Sequence, residues 1–103
     1  MGDYKIYHSA RFDRDLKKLD NSIQQRINKV EDLLAVNPYQ GDPINTKWFR
    51  EKKIEKYRFY YLIYENLKAV FMVGISEKKN QQEVINTIKL FLDLFREEIE
   101  NLV

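Results

Sequence analysis

The sequence predicts an α+β fold: a small, mostly antiparallel sheet of about four strands, with a helical hairpin ahead of it and one helix behind it. Three observations carry this. Apolar residues recur at helical spacing from Phe12 to Leu34. Short aromatic and β-branched runs separated by turn residues fill positions 47 to 76. A long amphipathic stretch follows them. At 103 residues the chain is expected to form a single domain, since two separate cores would each be too small.

Tyr4 to His8 reads as the first strand, with Tyr4, Ile6 and His8 on one side of the pleat and Lys5 and Tyr7 on the other. Ser9 can accept the free amides that open a helix, and Phe12, Leu16 and Leu19 form one stripe that ends near Asp20. A second helix follows Asp20-Asn21, burying Ile23, Ile27, Val30 and Leu34, until Asn37-Pro38 stops it. Both prolines and Gly41 make positions 37 to 46 a surface loop. Strands are then expected from Lys47 to Lys52, Lys56 to Tyr64 and Lys68 to Ser76, with Glu65-Asn66 turning the last two into a hairpin. Val70 to Val73 is continuously apolar, as in a strand covered on both faces, whereas the two earlier strands mix aromatic and basic residues and should keep one face wet. Gln81 to Asn101 reads as one helix, with Val84, Ile88, Phe91 and Phe95 on a stripe. Leu90 and Leu94 widen that stripe beyond what a small sheet needs, which fits either deep burial or cover by a partner.

Composition excludes several classes. With 44% hydrophobic and 33% charged residues the chain can bury a core and stay soluble, and no apolar run is long enough to span a bilayer. The absence of cysteine removes disulfides and thiolate metal sites, and Met1 to His8 lacks an apolar signal segment, so a cytoplasmic address is expected. No acidic or histidine set has ligand spacing and no phosphate loop occurs, so neither metal nor cofactor is expected. His8, the one histidine, is expected to make a structural hydrogen bond, and Trp48, the one tryptophan, to be core. The net charge of +2 argues little by itself, but its placement is uneven. Lys47, Arg50, Lys52, Lys53, Lys56 and Arg58 face only Glu51 and Glu55, while Asp93, Glu97, Glu98 and Glu100 make the tail acidic.

Lys56-Tyr57-Arg58-Phe59-Tyr60-Tyr61 resembles the Gly-Tyr-Arg-hydrophobic-hydrophobic-Tyr strand of the RelE/ParE toxin superfamily, with Lys56 where glycine is usual. Val70 to Ile75 running into Ser76-Glu77-Lys78-Lys79 is similar to the family's apolar strand and basic turn, and Glu83 to Leu92 continues as its last helix. The resemblance covers essentially the whole chain and is closest to the RelE-type mRNA interferases. It implies a RelE-like fold and a ribosome-dependent endoribonuclease that cleaves messenger RNA by metal-free attack of the 2′-hydroxyl. It also implies a RelB-type antitoxin that wraps the basic surface in a hetero-oligomer, and no membrane partner. A ParE-like inhibitor of DNA gyrase without nuclease activity, or a degenerate antitoxin-binding or RNA-binding module, would use the same scaffold.

Such cleavage needs a base, an acid and cations around a charged phosphorane. Arg50 and Lys52 lie two apart on a strand, so both point to one face, where Arg58 of the next strand could join them on one phosphate. The resemblance gives Arg58 the scissile phosphate, Lys52 proton transfer, Arg50 electrostatic support, and Lys78 a second phosphate contact with Lys79 as its fallback. Lys47, Lys53, Lys56 and Lys79 are expected to bind RNA. Val84 stands where the family carries a catalytic tyrosine, so that phenol is missing here.

Overall fold

The structure, a computed structural model, describes residues 2–103. Its elements run β1 (Lys5–His8), α1 (Ala10–Leu16), α2 (Asn21–Val36), β2 (Asp42–Ile44), β3 (Thr46–Ile54), β4 (Tyr57–Tyr64), β5 (Ala69–Glu77), α3 (Gln81–Leu90) and α4 (Leu92–Leu102). The sheet order is β1-β5-β4-β3-β2. β2 to β5 form an antiparallel meander, while β1 pairs with β5 in parallel, Lys5 opposite Ala69 and His8 opposite Met72.

The predicted α+β architecture is present, with three local differences. Asp42–Ile44, read as loop, forms a short fifth strand on the edge, where Pro43 is tolerated because an edge strand need not donate every amide. The last helix is two helices: Phe91 leaves the helical region (φ −108°, ψ 16°) and breaks it between Leu90 and Leu92. β4 is buried from Phe59 to Ile63, so it has no wet face along that stretch.

Alternation along β4 sends its residues into two cores. Phe59, Tyr61 and Ile63 pack with Val70 and Met72 under α1 and α2, against Phe12, Ile27 and Leu34. Tyr60 and Leu62 pack with Phe49, Phe71 and Val73 under α3 and α4, against Ile85, Ile88 and Ile99. Gly74 permits the close approach of α3, since a Cβ there would lie 3.0 Å from Ile88 Cδ1 and 3.3 Å from Val84 Cγ1. Both apolar periods in the sequence thus find a sheet face to cover.

The hairpin is fastened at its start. Ser9 accepts the Phe12 amide at 3.1 Å, capping α1 as its position predicts. His8 lies between Asp13 and Glu31, with Nδ1 and Nε2 each 2.6 Å from a carboxylate oxygen, an arrangement in which both ring nitrogens donate only as imidazolium. Burial disfavours that charge, but Glu31 and Asp13 outweigh it and raise the pKa above its ordinary 6.5. A raised folded-state pKa contributes stability that is complete below the unfolded value and is lost as pH rises through the folded one. The urea midpoint of the wild type should therefore fall as pH is raised through and above the imidazole range, and His8→Gln should flatten that dependence. A slope unchanged in His8→Gln would place the pH sensitivity elsewhere.

Candidate functional site

The β3–β4 turn decides which cations can act together. The two strands close on Glu55-Lys56, with Ile54 opposite Tyr57 and Lys53 opposite Arg58. Facing residues in an antiparallel pair share a face. Arg58, Lys53 and Glu51, the last opposite Tyr60, therefore lie on the α3 side, while Lys52 (opposite Phe59) and Arg50 (opposite Tyr61) lie on the α1–α2 side. The expected convergence of Arg50 and Lys52 with Arg58 does not occur, because the sheet lies between them.

Arg50 is also committed to backbone carbonyls. Its Nε donates to the Lys47 carbonyl at 2.7 Å, and Nη1 donates to the carbonyls of Tyr39 (3.0 Å) and Gly41 (2.6 Å). Its guanidinium carbon lies 5.2 Å from the centroid of the Tyr39 ring. Tyr61 closes the same loop, donating its hydroxyl to the Pro38 carbonyl at 2.7 Å and accepting the Gly41 amide at 3.1 Å. Gly41 is required there, since a Cβ would lie 2.5 Å from the Glu51 carbonyl oxygen and 2.6 Å from the Tyr61 hydroxyl.

On the α3 side five cations gather instead. Lys53, Lys56 and Arg58 from the β3–β4 hairpin and Lys78 and Lys79 from the turn after β5 line one shallow pocket of ≈ 340 Å³ together with Glu55 and Glu77. Two devices hold these turns. Glu55, in the left-handed region at φ 57°, pairs with Arg26 of α2. Glu77 and Asn80 cap one another reciprocally, the Glu77 amide donating to Asn80 Oδ1 at 2.9 Å, which fixes the backbone that carries Lys78 and Lys79.

Arg58 lies at the bottom of this cluster, opposite Ser76 of β5, and its Nε is 3.5 Å from Glu51 Oε1. Burial pushes the Glu51 carboxyl above its ordinary range; Arg58 opposes that shift and Asp42 adds to it. Ser76 Oγ and the Tyr60 hydroxyl are hydrogen-bonded at 2.8 Å beneath the pair, and burial raises the Tyr60 pKa further from neutrality. Glu51 is the residue that composition and spacing did not single out. Its signal was present in the alternation Glu51, Lys53 on one face of β3.

The other expectations fall as follows. Lys47 lies near the opposite end of β3, exposed, beside Trp48. Trp48 is not core but 41% exposed. Val84, half-buried on α3, packs on Gly74 at the margin of that core and does not line the cation pocket. Among the described residues no group of three or more acidic or histidine side chains could hold a metal ion, and no helix is long and apolar enough to cross a membrane.

Residues 6–81 match the family described as ParE toxin of type II toxin-antitoxin system, parDE. No curated protein matches the sequence. The fold is similar to that of E. coli toxin RelE in the free state, in a form with two arginine-to-alanine substitutions, at a TM-score of 0.70 and 16% identity over 85% of this chain and 99% of that one. It is likewise similar to a chain of the toxin–antitoxin complex RelBE2 from Mycobacterium tuberculosis (TM-score 0.65, 21% identity, 76% and 94% covered) and to one of the intact E. coli RelBE complex (TM-score 0.65, 15% identity, 72% and 95% covered).

Proposed function

Because the chain belongs to the ParE toxin family of type II toxin–antitoxin systems, we propose that it is a toxin acting on messenger RNA at the ribosome, with the five-cation pocket around Arg58 as the seat of a metal-free endoribonuclease. The observation that supports this is the gathering of Lys53, Lys56, Arg58, Lys78 and Lys79 from two turns and two strands on one concave patch. A pentavalent phosphorane gains negative charge over its ground state, and cations already in place favour it selectively.

In this reading Arg58 holds the scissile phosphate. Glu51 meets it through Nε and keeps the guanidinium oriented, while its other N–H donors remain for phosphate oxygens. Lys53 takes the proton-transfer role that the resemblance gave to Lys52, because Lys53 is the lysine opposite Arg58. The ribose 2′-oxygen attacks phosphorus as its proton passes to solvent water, and the 5′-oxygen leaves with a proton from the Lys53 ammonium, which solvent then restores, giving a cyclic phosphate and a free 5′-hydroxyl. Lys78 stabilises the phosphorane as a point charge.

A non-nuclease reading has two observations in its favour: Arg50 and Lys52 lie off the pocket, which leaves the catalytic set smaller than expected, and the family match is to ParE toxins, for which DNA gyrase is the alternative target. A reconstituted translation reaction decides. Message cut at the ribosomal A site by the wild type and left intact by Arg58→Ala supports the ribonuclease. Intact message together with loss of gyrase supercoiling supports the alternative.

An antitoxin is the expected partner. β1 covers the edge of β5 only as far as Met72, so the edge beyond it opens into a groove of ≈ 430 Å³ between α1 and α3–α4. Phe91 and Leu94 are 42% and 57% exposed along that groove. A disordered segment that folds on binding would pair with the edge and cover the apolar wall. The toxin and its neighbouring gene product should co-elute at equal stoichiometry.

A further inference from the structure

At the end of the sheet remote from the cation pocket, a second cavity of ≈ 400 Å³ opens between the Tyr39 turn, the start of β3, the β4–β5 turn and the first turns of α4. Its walls combine aromatic faces, Trp48, Tyr39 and Tyr64, with the cations Lys47 and Arg96. Neither the family match nor the proposed cleavage accounts for it. We propose that this cavity binds a nucleobase of single-stranded RNA, stacked on Trp48, with the adjoining phosphate held by Lys47 and Arg96.

Four features point to that ligand. A small domain normally covers its only tryptophan, yet Trp48 is 41% exposed, on a strand whose next residue, Phe49, is fully in the core. The rings around it are held in place: Arg50 lies over the Tyr39 ring, the Tyr39 hydroxyl donates to Glu65, and Arg96 lies 6.0 Å from the centroid of Tyr64. Cavity walls that are ordered before binding lose little freedom when a planar ring settles beside them. Lys47 and Arg96, set among the carboxylates Glu65 and Asp93, would meet a nucleotide's phosphate. Asn66, Glu65 and Asp93 on the same wall offer a donor and acceptors to a base edge.

A protein partner would be expected to seek a different surface. Polar or charged side chains make up about half of the lining of both this cavity and the groove between α1 and α3–α4, but the groove presents the exposed apolar side chains Phe91 and Leu94, whereas this cavity presents the aromatic rings of Tyr39, Trp48 and Tyr64. An apolar peptide anchor fits that groove, and a flat ring with an anion attached fits this cavity. The inference does not depend on the nuclease reading, because the cavity and the cation pocket share no residue.

Trp48 supplies its own reporter, since no other tryptophan is present. Titrating the folded toxin with a short single-stranded oligoribonucleotide should quench and shift its fluorescence, with an affinity that falls as salt is raised. Measured instead by anisotropy of a labelled oligonucleotide, Trp48→Ala should weaken binding about tenfold, from the loss of one stacked base. Trp48→Phe should recover part of that loss and Arg96→Gln should lower the salt dependence. The quench should persist in Arg58→Ala, which separates this site from the cation pocket. Unchanged fluorescence up to millimolar oligonucleotide would overturn the inference, as would quenching only by an antitoxin peptide, or RNA affinity unaltered in both Trp48→Ala and Arg96→Gln.

Discussion

Lys53→Ala is expected to slow message cleavage by about a hundredfold or more, while Lys52→Ala leaves the rate within a few fold of wild type. The two lysines are neighbours in the chain and separated by the sheet in space. Lys53 stands opposite Arg58 and lines the cation pocket, whereas Lys52 stands opposite Phe59 on the face that α1 and α2 cover. Removing Lys53 deletes both a positive charge beside the phosphate and the nearest ammonium able to move a proton. Removing Lys52 shortens a half-buried aliphatic stem at the margin of the other core. Single-turnover cleavage of a defined message on stalled ribosomes measures the difference. Equal loss in both variants would mean that the pocket is not where the reaction occurs.

The second large effect concerns stability rather than rate. Arg50→Ala should destabilise the fold by about 3 kcal/mol, seen as a lowered urea midpoint at unchanged slope. One guanidinium satisfies three backbone carbonyls, those of Tyr39, Gly41 and Lys47, and stacks on Tyr39, thereby tying the chain before β2 to the start of β3. Charge-assisted bonds of this kind contribute about 1.5–3 kcal/mol each when measured singly, and three on one side chain fall short of additive. Arg50→Lys should recover only a small part, because an ammonium lacks the planar fork that reaches several carbonyls at once. A loss below about 1 kcal/mol would show that Tyr61 alone holds the loop. The resemblance gave Arg50 a catalytic task; its hydrogen bonds give it an architectural one.

Much of the fold was legible because periodicity is a local property. Phe12 to Leu34 and Val84 to Ile99 reveal their buried stripes without reference to the rest of the chain, and Ser9 announces its cap three residues before the amide it accepts. The site was less legible, since strand faces depend on where one turn falls. Strands ending at Lys52 and restarting at Lys56 would set Arg50 opposite Arg58. The turn actually lies at Glu55-Lys56, with Glu55 in the left-handed region where glycine or asparagine would have advertised it, and the register moves so that Lys53 takes that place. The same dependence on distant partners hid Glu51, whose meaning comes from Arg58 across the strand pair, and the break at Phe91, where neither proline nor glycine marks the change. Arg58, Lys78 and Lys79 lie together because each adjoins a turn at the same end of the sheet.

The parallel pairing of β1 with β5 has a kinetic consequence. β3, β4 and β5 can zip together through short turns as soon as they are available, whereas β1 acquires its only strand partner from the far part of the chain. Such high-separation contacts are closed late and slowly. During synthesis the helical hairpin would wait, half of its apolar stripe uncovered, until β5 has left the ribosome and offered Val70 and Met72. The basic turn that follows β5 is made later still, so the molecule completes its charged pocket in nearly the same moment as its core. A nascent chain of this design has neither a finished core nor a finished charged pocket until β5 and the turn after it have emerged.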